Sequence, residues 1–278
     1  MQHRSIRVSG PVTQAVLAVM AFAVALFLIL PIFVIVPTSL SAGSFLSFPP
    51  PGFSLQWYER LISRPEWLRS AWLSIWIALL VTVAATILGT LGALGLVRSS
   101  FRGKKLLLAL ILSPLIIPGV IVAIAIYFFY ARVKLIGSPV AIAVAHTTLA
   151  VPFVVVNVSA ALQGLDRRLE MAAQNLGASS LRTFQLVTLP IIRPGIAAGA
   201  LFAFITSFDE LIVALFISGP SQVTLPLRMW ESMRSSLDPT LAAVSVIAIT
   251  VSISLFFTSS WLQSRARRRN GTNSGDST

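Results

Sequence analysis

Residues 12–40 read VTQAVLAVMAFAVALFLILPIFVIVPTSL, a stretch without a single charged side chain. A helix crossing a hydrocarbon core of ~30 Å needs ~20 apolar residues, whereas the core of a secretory signal is only about 7–15 residues long. Arg4 and Arg7 precede the stretch as they would a signal, but its length marks it as a retained transmembrane helix. The same test applied outward finds charge-free runs over 70–97, 106–131, 135–165 and 239–264. Another run begins at Pro194 and is broken only by Asp209 and Glu210. None alternates with the period of two that barrel strands require. The expectation is an all-α polytopic membrane protein with six transmembrane helices.

Composition points the same way. Of 278 residues, 56% are hydrophobic and 11% charged, with a mean hydropathy of +0.86. A soluble domain carries roughly 25% charged residues, so this chain lacks the polar surface to cover a water-soluble globule. It contains no cysteine, which excludes disulfides, thiolate metal sites and cysteine nucleophiles. The net charge of +12 would suggest nucleic acid were it not for where the charges fall.

With the N-terminus inside, one side collects fourteen Lys and Arg, among them Arg98, Lys104, Arg167, Arg168, Arg182 and Arg193. The other side has seven, among them Arg60, Arg132 and Arg228. Cytoplasmic loops are enriched in Lys and Arg. The basicity is thus topological, no nucleic-acid partner is expected, and both termini are expected in the cytoplasm. The domain reading is a cytoplasmic N-terminus over 1–11, a six-span transmembrane body over 12–264, and a basic cytoplasmic tail over 265–278 expected to be disordered. Ala85, Gly89, Gly92, Ala93 and Gly95 give the second span a small-residue face for close helix packing.

One connection is unlike the rest. Residues 163–195, QGLDRRLEMAAQNLGASSLRTFQLVTLPIIRPG, carry helical spacing at Leu165, Leu169, Ala172 and Leu176 after a capping Asp166. Gly177 stands where a left-handed closing residue is needed. Ser179 or Ser180 can cap a second helix, which Pro190 and Pro194 are expected to end before the next span begins. The result is a pair of short amphipathic helices joined at a glycine corner on the cytoplasmic face. Periodicity alone fits equally a pair resting on lipid headgroups and a surface that docks a protein.

The spacing of Met171-Ala172-Ala173, Gly177, Val187-Thr188 and Leu189-Pro190 resembles the EAA loop of membrane subunits of binding-protein-dependent ABC importers. One position departs from it: the motif's glutamate is Met171 here, and Glu170 stands one residue earlier. Family members pair that glutamate with a basic residue of the ATPase. The resemblance implies that the elbow over about 163–193, with Glu170, Met171, Ala172, Ala173, Gly177, Leu189 and Pro190, couples to ATPase subunits. A second set, Ser207-Phe208-Asp209-Glu210-Leu211, Ile217-Ser218-Gly219-Pro220 and Thr224-Leu225-Pro226-Leu227, is similar to the spermidine/putrescine-type permeases. The resemblance implies a type I ABC importer permease fold in a bacterial inner (plasma) membrane. Its implied partners are a second homologous permease, two ATPase subunits that bind ATP and Mg, and a periplasmic or extracellular solute-binding protein. No cofactor or metal is expected in this chain.

Asp209 and Glu210 lie about fifteen residues beyond Pro194, ~22 Å along an unbroken helix, and so in its outer half. An acid at a helix centre costs about 2.5–3.5 kcal/mol on insertion scales, and such residues usually face a bundle interior or a water-filled path. Successive helical side chains diverge by ~100°, so one carboxylate is expected to line the path while the other pairs across the subunit interface. The alternative is a structural ion pair with the partner permease, or a pair simply wetted by the outer boundary. Fixed negative charge offsets the desolvation of a cation and repels an anion, which fits an amine cargo. Ser207 adds polarity, and Trp57, Tyr127 and Trp230 are candidate amine contacts through cation–π interaction or members of an interfacial aromatic belt. Leu225 to Arg234 reads as a short external helix. His146, the one histidine within a span, reads as a packing or hydrogen-bonding residue.

The chain has no G-x-x-x-x-G-K-[ST] sequence; Gly103-Lys104 is followed by Lys105 and lacks the earlier glycine. It therefore supplies no phosphate cradle of its own. The expected activity is alternating-access transport, without catalysis by this chain. An intramembrane serine hydrolase is disfavoured because Gly177-Ala178-Ser179 is remote from His146. A stand-alone secondary transporter would predict an internal repeat, which inspection does not find. Opines, aminoethylphosphonate or other amine-bearing solutes are the alternative cargo within the same architecture.

Overall fold

The computed structural model describes residues 11–235, 237–254 and 257. The N-terminal residues with Arg4 and Arg7, the tail over 265–278 and the end of the last apolar run lie outside the described residues. In order, the helices are α1 (Pro11–Ser39), α2 (Gln56–Ser63), α3 (Pro65–Arg98), α4 (Lys104–Ile116), α5 (Gly119–Arg132), α6 (Pro139–Gln163) and α7 (Arg167–Asn175). They continue with α8 (Ser180–Thr183), a π turn (Phe184–Thr188), α9 (Leu189–Phe208), α10 (Ile212–Ile217), α11 (Leu225–Ser235) and α12 (Thr240–Ser254). No strand occurs among the described residues; one isolated bridge joins Ser41 and Phe53.

Among the described residues, four helical stretches are long and apolar enough to span a bilayer: Thr13–Ser39, Pro65–Arg98, Pro139–Gln163 and Ser180–Phe208. The run expected as one third span is instead a bent pair: α4 and α5 meet at 107°. Pro118 causes the break, because it forces Ile117 into extended backbone at φ −74°, ψ 134° and lacks the donor to continue α4. α12 occupies the described part of the sixth run.

The chain divides into two compact units. The first, residues up to 63 with 233–249, is organised by the turn after α1. Trp57 is buried, and its indole N–H donates to Ser41 O at 2.7 Å. The hydroxyls of Ser39 and Tyr58 meet at 2.8 Å. Arg60 pairs with Asp238 at 3.5 Å and stacks 4.6 Å from the Trp57 ring centre.

The second unit, residues 64–232 and from 250 on, has its core where α3, α6 and α9 pack around Val154, Val158, Ile77, Val81, Ile192 and Ala203. The small face expected on α3 is there at Ala85 and Ala93, which are fully buried, and at Gly89, where a Cβ would lie 2.6 Å from Val154 Cβ. Gly95 is exposed, with nothing within 4 Å of an added Cβ, and lies off that face. α9 answers with Gly199, where a Cβ would meet Val154 Cα at 2.9 Å. Small residues let the helix axes approach until dispersion contacts, rather than hydrophobic transfer, hold them.

The elbow differs from its expected form at its second helix. Pro190 and Pro194 do not end that helix; Ser180–Phe208 runs on as one stretch. The π turn explains this: its wider i to i+5 pattern hands the Leu189 N–H to Phe184 O, and Pro190 then sits in the first turn of α9, where its absent donor is not missed.

Candidate functional site

The corner of the elbow forms as its residues dictate. Asp166 caps α7 by accepting from Arg168 N at 2.9 Å, and Ser179 caps α8 by accepting from Arg182 N. Gly177 adopts φ +88°, the left-handed region that a side chain would strain. α7 buries no residue. Met171 is 53% and Leu176 90% exposed, with Leu181 and Leu186 open as well. Ala172 is exposed and Ala173, Leu189 and Pro190 are half-buried, so the apolar stripe is presented outward. Glu170 turns the other way: its carboxylate is bound by Arg98, the last residue of α3, and by the Thr188 hydroxyl. Sequence reading had Glu170 as a shifted ATPase contact and did not find this partnership. Arg98 and Glu170 lie 72 positions apart, so no local signal joins them.

At the opposite end of the same bundle, the fifth run is broken. α9 stops at Phe208, Asp209 closes it, and α10 starts afresh at Ile212. The two acids therefore occupy a gap between helices instead of the outer half of one continuous helix. Their surroundings separate them. Glu210 is half-buried and caps α10 twice, accepting from Val213 N at 2.9 Å and Ala214 N at 3.0 Å. His146 Nε2 stands 3.4 Å from its Oε2, within ion-pair range but without hydrogen-bond alignment. The other ring nitrogen, Nδ1, shares a 3.0 Å hydrogen bond with Ser207 Oγ. His146 and Ser207 are 1% and 4% exposed, so this serine–histidine–carboxylate set is largely buried within the chain and ties α6 to the α9–α10 break. Asp209 is exposed, and its side chain makes no hydrogen bond or ion pair among the described residues.

The remaining motif residues and aromatics take distinct places. Gly137 N donates to Ile217 O at 2.9 Å, and a Cβ on Gly219 would meet Gly137 Cα at 2.9 Å, so the loop between α5 and α6 lies directly on the Ser218-Gly219-Pro220 segment. Leu225 N donates to Ser74 Oγ at 2.7 Å, anchoring α11 to α3. Tyr127 is 38% exposed and packs edge-on against Phe128, and Trp230 is half-buried on α11. Trp57 belongs to the first unit, committed to Ser41 and Arg60.

A chain with an exposed glycine elbow between spans, and with acids at a broken helix, matches a known group. Residues 85–268, which include the elbow and both acids, match the family described as binding-protein-dependent transport system inner membrane component. The chain belongs to this family. The permease is 36% identical over 225 residues to the putrescine transport system permease protein PotI of Escherichia coli (strain K12), a match covering 78% of the chain and 80% of the relative. It is 32% identical over 235 residues to the spermidine/putrescine transport system permease protein PotC of Haemophilus influenzae, covering 84% and 91%. Its fold matches a chain of a bacterial ABC transporter involved in the import of the acidic polysaccharide alginate, with a TM-score of 0.69 at 17% identity over 93% and 97% of the two chains. The resemblance carried by the elbow motif thus holds, and the architecture is that of a type I ABC importer permease.

Proposed function

We propose that the permease forms, with a second homologous permease, the path by which a small cationic amine of the putrescine or spermidine class enters the cell. A periplasmic or extracellular binding protein delivers the solute. Two ATPase subunits, holding ATP and Mg at sites of their own, grip the exposed face of the elbow, and both termini lie in the cytoplasm. The likeness to putrescine and spermidine/putrescine permeases over most of the chain is the observation that carries the cargo class.

The geometry supports a division of labour between the two acids. Glu210 spends its lone pairs on α10 and faces His146. Asp209 keeps an exposed carboxylate able to replace part of the hydration shell of a passing ammonium group. Asp209→Asn is expected to lower uptake of putrescine at limiting concentration by about tenfold, the scale of a charge-assisted hydrogen bond. The loss should exceed any loss in basal ATP hydrolysis. Unchanged uptake removes Asp209 from the path, and preferential uptake of an opine or aminoethylphosphonate changes the cargo while keeping the architecture.

A further inference from the structure

The contact between Glu170, Arg98 and Thr188 ties α7, which has no buried residue, to α3 and to the π turn. Arg98 ends α3, Glu170 lies in the first turn of α7, and Thr188 closes the π turn that leads into α9. Arg98 Nη2 donates to Glu170 Oε1 and, at 3.2 Å, to Thr188 Oγ1, while the Thr188 hydroxyl donates to the same carboxylate oxygen. The Thr188 hydroxyl thus donates one bond and accepts another, and the residue is fully buried. The Glu170 side chain is 14% exposed and Arg98 37%. A second strut lies alongside: Arg167 Nη2 donates to Val97 O at 3.4 Å.

α7 buries no residue of its own, so these polar bonds hold it to the bundle in place of a hydrophobic face. They are also directional and all-or-none: a partly buried carboxylate that loses its arginine is left uncompensated, and the triad resists partial opening. An element so held moves with its anchors.

We propose that the Arg98–Glu170–Thr188 triad is the joint through which displacement of the elbow reaches α3 and α9 together, so that Glu170 is a positioning residue facing the bundle and not a contact to the ATPase. The inference rests on the reading of the elbow as the surface that the ATPase grips.

The test uses the assembled transporter in proteoliposomes with its binding protein and putrescine, comparing Glu170→Gln, Glu170→Arg, Arg98→Glu and the double exchange Arg98→Glu/Glu170→Arg. Each single change is expected to cut ATP-driven uptake by about tenfold or more, within the range of a typical coupling free energy. The ATPase subunits should remain bound, and the double exchange should recover most of the loss. Wild-type uptake in the single variants overturns the joint. So does release of the ATPase by Glu170→Gln without recovery in the double exchange, since the carboxylate would then be touching the motor. A readout independent of any motor is hydrogen exchange in the solubilised chain. Glu170→Gln should speed exchange in α7 and the π turn and leave α3 around Val81 unchanged, and slow exchange retained in α7 also overturns the proposal. Failure of the functional reading looks different: the wild-type permease would move putrescine with no ATPase present, whatever the exchange data.

Discussion

Glu210 and His146 show how a residue's role turns on its neighbours more than on its type. Adjacent acids in an apolar run read alike, yet one carboxylate is consumed by two backbone N–H groups and a histidine while the other is exposed without a partner. The difference makes opposite predictions. Glu210→Gln removes charge from both cap bonds and is expected to lower stability by about 1–3 kcal/mol, seen as earlier thermal unfolding in detergent. Asp209→Asn should unfold within about 0.5 kcal/mol of wild type, as an exposed substitution does. Equal destabilisation by the two changes would erase the distinction. That acids lay in the run, and that His146 was a hydrogen-bonding residue, was legible in sequence. That Ser207 and Glu210 were its neighbours was not, because the contact needs α6 and α9 side by side, 61 positions apart for the serine.

Helix against helix, the second unit is a glycine-spaced packing problem. Gly199→Ala sets a Cβ 2.9 Å from Val154 Cα, a backbone atom that cannot rotate away. The expected cost is about 1–3 kcal/mol, as for other overpacked sites. Gly95 has nothing within 4 Å, and Gly95→Ala should gain about 0.5–1 kcal/mol from reduced backbone entropy. Thermal unfolding of the two variants side by side checks the pair, and equal shifts would contradict the packing. Gly177 tests a different property of an element. Its φ of +88° excludes a β-branched residue with no clash involved. Gly177→Val should therefore straighten or strain the corner by roughly 1–2 kcal/mol, leaving insertion intact while hydrolysis proceeds without uptake. Normal coupled transport in that variant would dissociate the corner from the stroke.

For the molecule as a whole, sidedness is the property on which the transport reading stands. Contacts within the second unit gather the elbow with the end of α3 and, at the other end of the bundle, Ser74 with Leu225 and Gly137 with Ile217. The basic residues Arg98 and Arg167 thus fall at one end of this bundle and Arg132 with Arg228 at the other. Because the chain has no cysteine, single cysteines can report which face is which. A cysteine at Leu176, 90% exposed, should react with a membrane-impermeant maleimide only in inverted vesicles. One at the exposed Ser221 should react in intact cells. Labelling of the Leu176 position from outside would invert the topology and remove the elbow from any cytoplasmic ATPase.

Hydrophobic length, charge asymmetry and turn chemistry are local quantities, and they sufficed for the all-helical membrane class, the cap residues Asp166 and Ser179, the corner at Gly177 and the small face of α3. The 107° break at Pro118, the uninterrupted passage from α8 through the π turn into α9, the division between Asp209 and Glu210 and the Arg98–Glu170–Thr188 triad were decided only in three dimensions. A proline states that a donor is missing but not whether the helix stops, bends or widens, since neighbouring elements supply the compensating bonds. A buried charge likewise announces a need for a partner, and which partner answers depends on helices that meet only after the chain has folded.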